Sequence, residues 1–369
     1  MAVVIILLTE QAWAENAPKN IILMIGDGMG VGQLTLARLS AQAEGKSLSM
    51  DAMKIAALVQ TRSADSVMSD SSAAGTALAT GWKTNNEMVS MLPDGTSVLT
   101  ILEIAQDLKK STGLVTNTAI VDATPAVFAS HDRSRTDLAG IADQILQHKV
   151  DVLFGGGRAY FIPQSQAGSK RKDETDLLAQ ARQKGYAVLG TRDELLPKRA
   201  GRTLGLFRMG ALTAGASEPT LAELADRAIQ ILSENRRGFF LMVEGGQIDA
   251  KAHANDPQGV IQQLREFDAA VGTVLAVARK RKDTLVIVTA DHETGGLVVL
   301  PPAQGSSEAW SVAWTTKDHS GNNTLLLADG PGALVFSGVI DNTDVPKIMA
   351  KLWKASIFPR KIARLESNP

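Results

Sequence analysis

Asn20-Ile-Ile-Leu-Met-Ile-Gly-Asp-Gly-Met-Gly30 sets an unbroken apolar run directly before an acid enclosed by glycines. A run without polar alternation suits a strand covered on both faces, so residues 20–25 are read as a buried strand. Working outward, runs of the same character recur at 113–116, 151–154, 239–243 and 284–289. Between and around them lie stretches with helical spacing, at 33–43, 97–110, 136–148, 173–184, 220–234 and 258–281. The alternation predicts a three-layer α/β/α sandwich with a mainly parallel central sheet. Beyond Asp291 the chain turns rich in Gly, Pro and Ser, and the apolar runs at 297–300 and 324–328 are expected as edge or antiparallel strands. The polar stretch 164–175 reads as a surface loop.

Composition narrows the class without naming a chemistry. The chain has 369 residues, 44% of them hydrophobic and 21% charged, enough to bury a substantial core. A net charge of −1 gives no broad attraction to nucleic acid or an acidic membrane. Any affinity for an anion must come from a local site. With no cysteine there are no disulfides, thiolate ligands or cysteine nucleophile. Residues 3–8 are apolar but too few to span a bilayer, and Ala12-Trp13-Ala14 fits a small-x-small cleavage site. Residues 1–14 are therefore expected to be an export signal, against the alternative of a buried first strand; no Lys or Arg precedes the apolar run. Residues 15–369 are expected to form one catalytic domain, and no later stretch is apolar enough to cross a membrane.

Chemistry concentrates where apolar runs end. Asp27 follows the run closing at Ile25, Glu244 follows Val243, and Asp291-His292 follows Val288-Thr289-Ala290. Ligand sites in open parallel sheets collect at the carboxyl ends of strands, so acids more than two hundred residues apart can converge. Asp249 and His253, four residues apart, share one helical face, and His319 lies in a polar loop. Imidazoles favour zinc and carboxylate oxygens favour magnesium, so the set points to a multi-metal hydrolytic centre. Each piece also has a plainer explanation: a capping Asp27 in a strand-to-helix turn, or a surface pair for Asp249 and His253. The Gly26–Gly30 segment fails the dinucleotide pattern, because Val31 and Gln33 stand where a third small residue should be. Ser69-Asp70-Ser71-Ser72 opens an Ala-rich helical stretch, where Ser and Asp serve as caps or a serine serves as a nucleophile. No Gly-x-Ser-x-Gly elbow is present, so such a serine would need metal activation.

Taken together, these segments resemble the alkaline phosphatases. The resemblance rests on residues 20–30, on Asp70-Ser-Ser-Ala-Ala-Gly-Thr-Ala77 with Thr80-Gly-Trp-Lys-Thr84, and on Asp122-Ala-Thr-Pro125. It continues through Val243-Glu-Gly-Gly-Gln-Ile-Asp249, Thr289-Ala-Asp-His292 and His319-Ser-Gly321, in the family's order. It implies one zinc on Asp249, His253 and His319, and a second on Asp27, Asp291 and His292 with Ser71 completing the shell. Asp27 would bridge to a magnesium that also uses Thr124 and Glu244, with Asp122 acting through water. Ser71 matches the nucleophile, and Arg135 rather than Arg133 matches the phosphate-clamping arginine. Ala250 stands where some bacterial members carry a lysine, and the short segment between His292 and His319 leaves no room for a large crown-like insertion. His131, close to the clamp segment, and His148, read as a solvent-facing helix end, receive no assignment.

The function so implied is metal-dependent hydrolysis of small phosphate monoesters through a phosphoserine on Ser71, by an exported periplasmic or extracellular homodimer without nucleic-acid specificity. Two alternatives stand beside it: a phosphodiesterase of the same superfamily, and a non-catalytic exported protein that binds metal or phosphate.

Overall fold

The computed structural model describes residues 17–362 apart from 198–200, 214, 303 and 305–308. The expected export signal, residues 1–14, lies outside the described residues. The strands in chain order are β1 Asn20–Gly26, β2 Ile55–Gln60, β3 Ser111–Ala119, β4 Val152–Gly156, β5 Ala187–Leu189, β6 Thr203–Leu206 and β7 Phe239–Gly245. They continue with β8 Thr284–Thr289, β9 Glu293–Thr294, β10 Val298–Leu300, β11 Ser311–Ala313, β12 His319–Ser320, β13 Thr324–Asp329 and β14 Gly338–Asp341. Ten of them form one sheet in the order β14-β2-β13-β8-β1-β7-β3-β4-β6-β5. Every pairing in it is parallel except the two made by β13.

The helices are α1 Val31–Ala43, α2 Ser71–Thr80, α3 Ile101–Asp107, α4 Ala123–Ala129, α5 Leu138–Gln147 and α6 Leu177–Gln183. After these come α7 Arg192–Leu195, α8 Leu221–Leu232, α9 Gln247–His253, α10 Pro257–Arg281 and α11 Asp344–Leu352. Side chains alternate along β1: Ile21, Leu23 and Ile25 join a core with α2, α3, α4, α5, α6 and α11, whereas Ile22 and Met24 join one with α1, α8 and α10. Because both faces of each central strand are buried, the runs carry no polar alternation, as the sequence pattern implied. The sandwich has three layers.

The structure corrects some boundaries. Residues 97–99 are not helical: Leu99 N–H donates to the Arg360 carbonyl, and α3 starts only after Thr100. Thr100 and Glu103 form a reciprocal capping box there, which sets the start of α3. β13 is antiparallel as expected but lies inside the sheet, because β2 and β14, which the run pattern did not mark, extend the sheet past it. The 297–300 run becomes β10, paired only with β11 in a separate antiparallel ribbon. In the central sheet Ile25 pairs with both Glu244 and Thr289, and Thr116 pairs with Glu244. That register brings the ends of β1, β3, β7 and β8 to one side of the molecule.

Candidate metal centre

Asp27, Asp291 and His292 meet where β1 and β8 end, and ligand atoms of the three lie within 4.8 Å of one another. His292 Nε2 is 3.2 Å from Asp291 Oδ2 and 3.5 Å from Asp27 Oδ1. Thr294 Oγ1 donates its proton to Asp249 Oδ1 at 2.5 Å, so it can only accept from His292 Nδ1–H at 3.2 Å. In a neutral ring the lone pair of His292 then sits on Nε2 and faces carboxylate oxygens, which are themselves acceptors. Asp27 Oδ1 and Asp291 Oδ2 are buried without a hydrogen-bond partner. Three acceptors facing one another in a sealed space need a cation between them.

Asp249, His253 and His319 make a second trio, also within 4.8 Å. His253 Nε2 is 3.3 Å from Asp249 Oδ2, and His319 Nε2 is 3.8 Å from Asp249 Oδ1. Each imidazole is oriented through its far nitrogen. Nδ1–H of His253 donates to the Lys317 carbonyl at 2.5 Å, and Nδ1–H of His319 donates to the Ser69 carbonyl at 2.7 Å. Such outer hydrogen bonds fix the tautomer and leave Nε2 free to ligate. The His319 and His292 rings stack at 3.6 Å, which joins the two trios. Burial above all pulls the His319 pKa down, which favours the neutral imidazole. The hydrogen bond to Asp249 pushes His253 up to about 9. Burial favours a protonated Asp249, yet the hydrogen bonds from His253 and Thr294 hold its carboxyl below the usual range.

A third group carries only oxygens. Glu244 Oε2 accepts from Thr118 Oγ1 at 3.1 Å and from Thr116 Oγ1. Asp122, immediately before α4, and Thr124, in its first turn, also face Glu244. Burial, with the negative Asp122 nearby, raises Glu244 to about 7. Burial and then Asp291 raise Asp27, and burial raises Asp122. Carboxylates crowded in this way repel unless a cation sits among them, and an all-oxygen set suits a hard one.

Ser71 is the first residue of α2, and its Oγ lies 3.2 Å from His292 Nε2. Ser72 points elsewhere, its hydroxyl donating to Asp70 Oδ2 at 2.6 Å. Asp70 caps α2 by accepting from Ala73 N–H and pairs with Arg135 Nη1 at 3.3 Å. Arg135 lines an open cleft of about 380 Å³ with Ser69, Asp70, His253 and His319. Arg133 is turned away, its guanidinium lying where a Cβ on Gly95 would stand. Asp27 is no helix cap, since Gly30 precedes α1 and makes no side-chain cap bond. Gly28, at φ +70°, could not be replaced, because a Cβ there would stand 2.8 Å from Asp249 Oδ1. The expected metal ligands, Ser71 and Arg135 thus gather at one end of the sheet, whereas Arg133, His131 and His148 stand apart from them. Those it missed are Thr116, Thr118 and Thr294, hydroxyls with no pattern of their own. Asp70, read only as a cap, also holds the arginine.

Comparison with known proteins agrees with this arrangement. The family model for alkaline phosphatase matches residues 18–310. Alkaline phosphatase 4 of Bacillus subtilis is 32% identical, over 94% of this chain and 92% of its own length. The alkaline phosphatase of Escherichia coli K12 is 31% identical, over 90% of this chain and 85% of its own. Among solved structures, that of the alkaline phosphatase from the Antarctic bacterium TAB5 superposes with a TM-score of 0.82 at 31% identity, covering 92% of this chain and 98% of that one. The Thermus thermophilus enzyme gives a TM-score of 0.84 at 25% identity, covering 92% and 93%. With fold, site chemistry and relatives in agreement, the chain belongs to the alkaline phosphatases, metal-dependent hydrolases of phosphate monoesters.

Proposed function

We propose that Ser71 is the nucleophile of a two-step phosphate monoester hydrolysis and that Arg135 clamps the phosphoryl group. Asp249, His253 and His319 would hold one zinc, and Asp27, Asp291 and His292 a second. Asp27, Thr124 and Glu244, with Asp122 through water, would hold magnesium; a solved variant of the TAB5 enzyme, 32% identical, is described with Mg bound in its M3 site. Bound there, divalent ions would lower the pKa of oxygen nucleophiles and neutralise charge on the transferring group.

The observation that carries the assignment is Ser71 Oγ at 3.2 Å from His292 Nε2, on the first turn of α2. Backbone N–H groups at a helix start favour negative charge, so developing charge on Ser71 Oγ is stabilised from behind. The Ser71 oxygen gives up its proton and attacks phosphorus in line. A P–O bond forms, the P–O bond to the substrate breaks, and the alkoxide that leaves with the bonding pair takes up a proton to become the alcohol. Arg135, held by Asp70, can grip two phosphoryl oxygens at once with its planar guanidinium. Water then attacks the phosphoserine from the vacated side, breaks the bond to Ser71 Oγ, and inorganic phosphate leaves. The open cleft above Arg135 places little demand on the alcohol, which fits broad substrate tolerance.

The apolar 3–8 run before Ala12-Trp13-Ala14 supports export to the periplasm or beyond. No helix among the described residues is long and apolar enough to cross a membrane. A homodimer of single-domain subunits is the assembly that the resemblance favours.

Ser71→Ala tests the nucleophile. Turnover of a chromogenic phosphate monoester should fall by roughly four to six orders of magnitude, as for removal of other covalent nucleophiles. Bound zinc should stay near the wild-type level. A variant that kept most of its activity would remove the assignment.

A further inference from the structure

Glu103, His131 and His148 form a further cluster of metal-ligating side chains, and the proposed hydrolysis uses none of them. They come from separate elements: Glu103 from α3, His131 from the loop after α4, and His148 from the C-terminal cap of α5. His131 Nε2 lies 3.4 Å from Glu103 Oε1, and His148 Nδ1 lies 3.7 Å from the same oxygen. Ligand atoms around tetrahedral zinc, with bonds of about 2.0–2.2 Å, stand roughly 3.3–3.6 Å apart. The spacing in the cluster is close to that.

The other polar atoms of Glu103 and His131 are already engaged. Glu103 Oε2 accepts from Thr100 N–H at 2.8 Å, which leaves Oε1 turned inward. His131 Nδ1 is 2.9 Å from the Ser90 carbonyl, which can only accept, so this nitrogen carries the proton. In a neutral ring Nε2 is then a bare lone pair aimed at a carboxylate oxygen. The same oxygen faces His148, whose pKa is lowered, first by burial, whereas for His131 burial is outweighed by Glu103 and the Ser90 carbonyl together, which raise it. Either a proton on His131 or a metal ion must fill the space. The orienting bonds to Ser90 and Thr100 are of the kind that hold metal ligands in place.

We propose that Glu103, His131 and His148 bind a further zinc, with water as the fourth ligand, outside the hydrolytic centre. Two imidazoles and one carboxylate select zinc over calcium or magnesium. The ion braces the loop that runs from His131 to Arg135, whose main chain is pinned at Asp132 to Val89 and at Arg135 to the Glu87 carbonyl. His148 thus faces inward toward Glu103 with a side-chain exposure of 21%, instead of facing solvent as its place at a helix end suggested.

The full chain, equilibrated with excess zinc and freed of unbound metal, is compared with His148→Ala and Glu103→Gln by metal analysis. Glu103→Gln keeps the size and an oxygen for Thr100 while removing the charge. Each variant should retain measurable turnover and carry one zinc fewer than the wild type. Equal zinc content in wild type and both active variants would overturn the proposal. A wild-type crystal soaked in zinc supplies a check that needs no variant: anomalous density among the three side chains is expected, and its absence while the hydrolytic centre is filled would overturn the proposal.

Discussion

Asp27, Asp291 and His292 stand at the ends of adjacent strands and are 8%, 0% and 0% exposed, whereas His253 of the other trio leaves 38% of its side chain open. The inner trio is positioned by β1 and β8, two of the most buried strands in the sheet. The outer trio depends on the seven-residue α9 and the two-residue β12. Their polar atoms are also treated differently. Inner oxygens Asp27 Oδ1 and Asp291 Oδ2 have no partner, while Asp249 is engaged by Thr294 and His253. A sealed space with unpaired acceptors is costly without a cation, and a half-open pair that neutralises itself is not. The inner site should hold its metal as part of the fold, and the outer one should exchange it.

The largest expected effect comes from His292→Ala, which removes an inner ligand and the neighbour of Ser71. Turnover should fall beyond the roughly 10–100-fold cost typical of losing an outer partner of a metal ligand, and excess zinc should not restore it. Zinc rescue of His292→Ala would erase the distinction between the trios. Arg135→Ala should cost about 10²–10³ in kcat/KM, the range for removing a charge-stabilising donor, with zinc content unchanged. Loss of metal in that variant would mean Arg135 supports the centre's structure instead of the phosphoryl group. Thr294→Val should act least, weakening zinc binding by about 10-fold while sparing kcat at saturating zinc, since Thr294 orients Asp249 and His292 without ligating. A fall in kcat at saturating zinc would place Thr294 closer to the chemistry.

The same contrast governs what could be read in the chain. Asp27, Asp291 and His292 were legible because a doubly buried strand has a plain apolar signature and its carboxyl end is where parallel sheets build sites. Asp249 and His253 were legible through helical spacing. Thr116 and Thr118 were not, because their part depends on the β3–β7 register, which sets Thr116 beside Glu244 and is not written locally. β2 escaped notice for a related reason. Its alternating exposure, with Ala57 and Val59 turned inward, is weak over six residues, so nothing placed a strand beyond β13, which was expected as an edge or antiparallel strand and is antiparallel and interior. The start of α3 could have been found, since Thr100-x-x-Glu103 is a capping-box pattern inside the stretch read as helix. His148 needed the fold: its position at a helix end is local, but its turn toward Glu103 is a tertiary contact.

The most direct test follows zinc content and turnover together as a chelator is titrated into the loaded enzyme, for wild type and for His253→Ala. The account predicts that the zinc whose loss lowers turnover leaves the wild type in two separable steps, the first reversible on adding zinc back, whatever zinc the Glu103 cluster releases. His253→Ala should lack that first loss and keep the second. A single concerted release in the wild type, or a His253→Ala variant that loses the tightly held ion instead, would contradict a buried inner site and an exchangeable outer one.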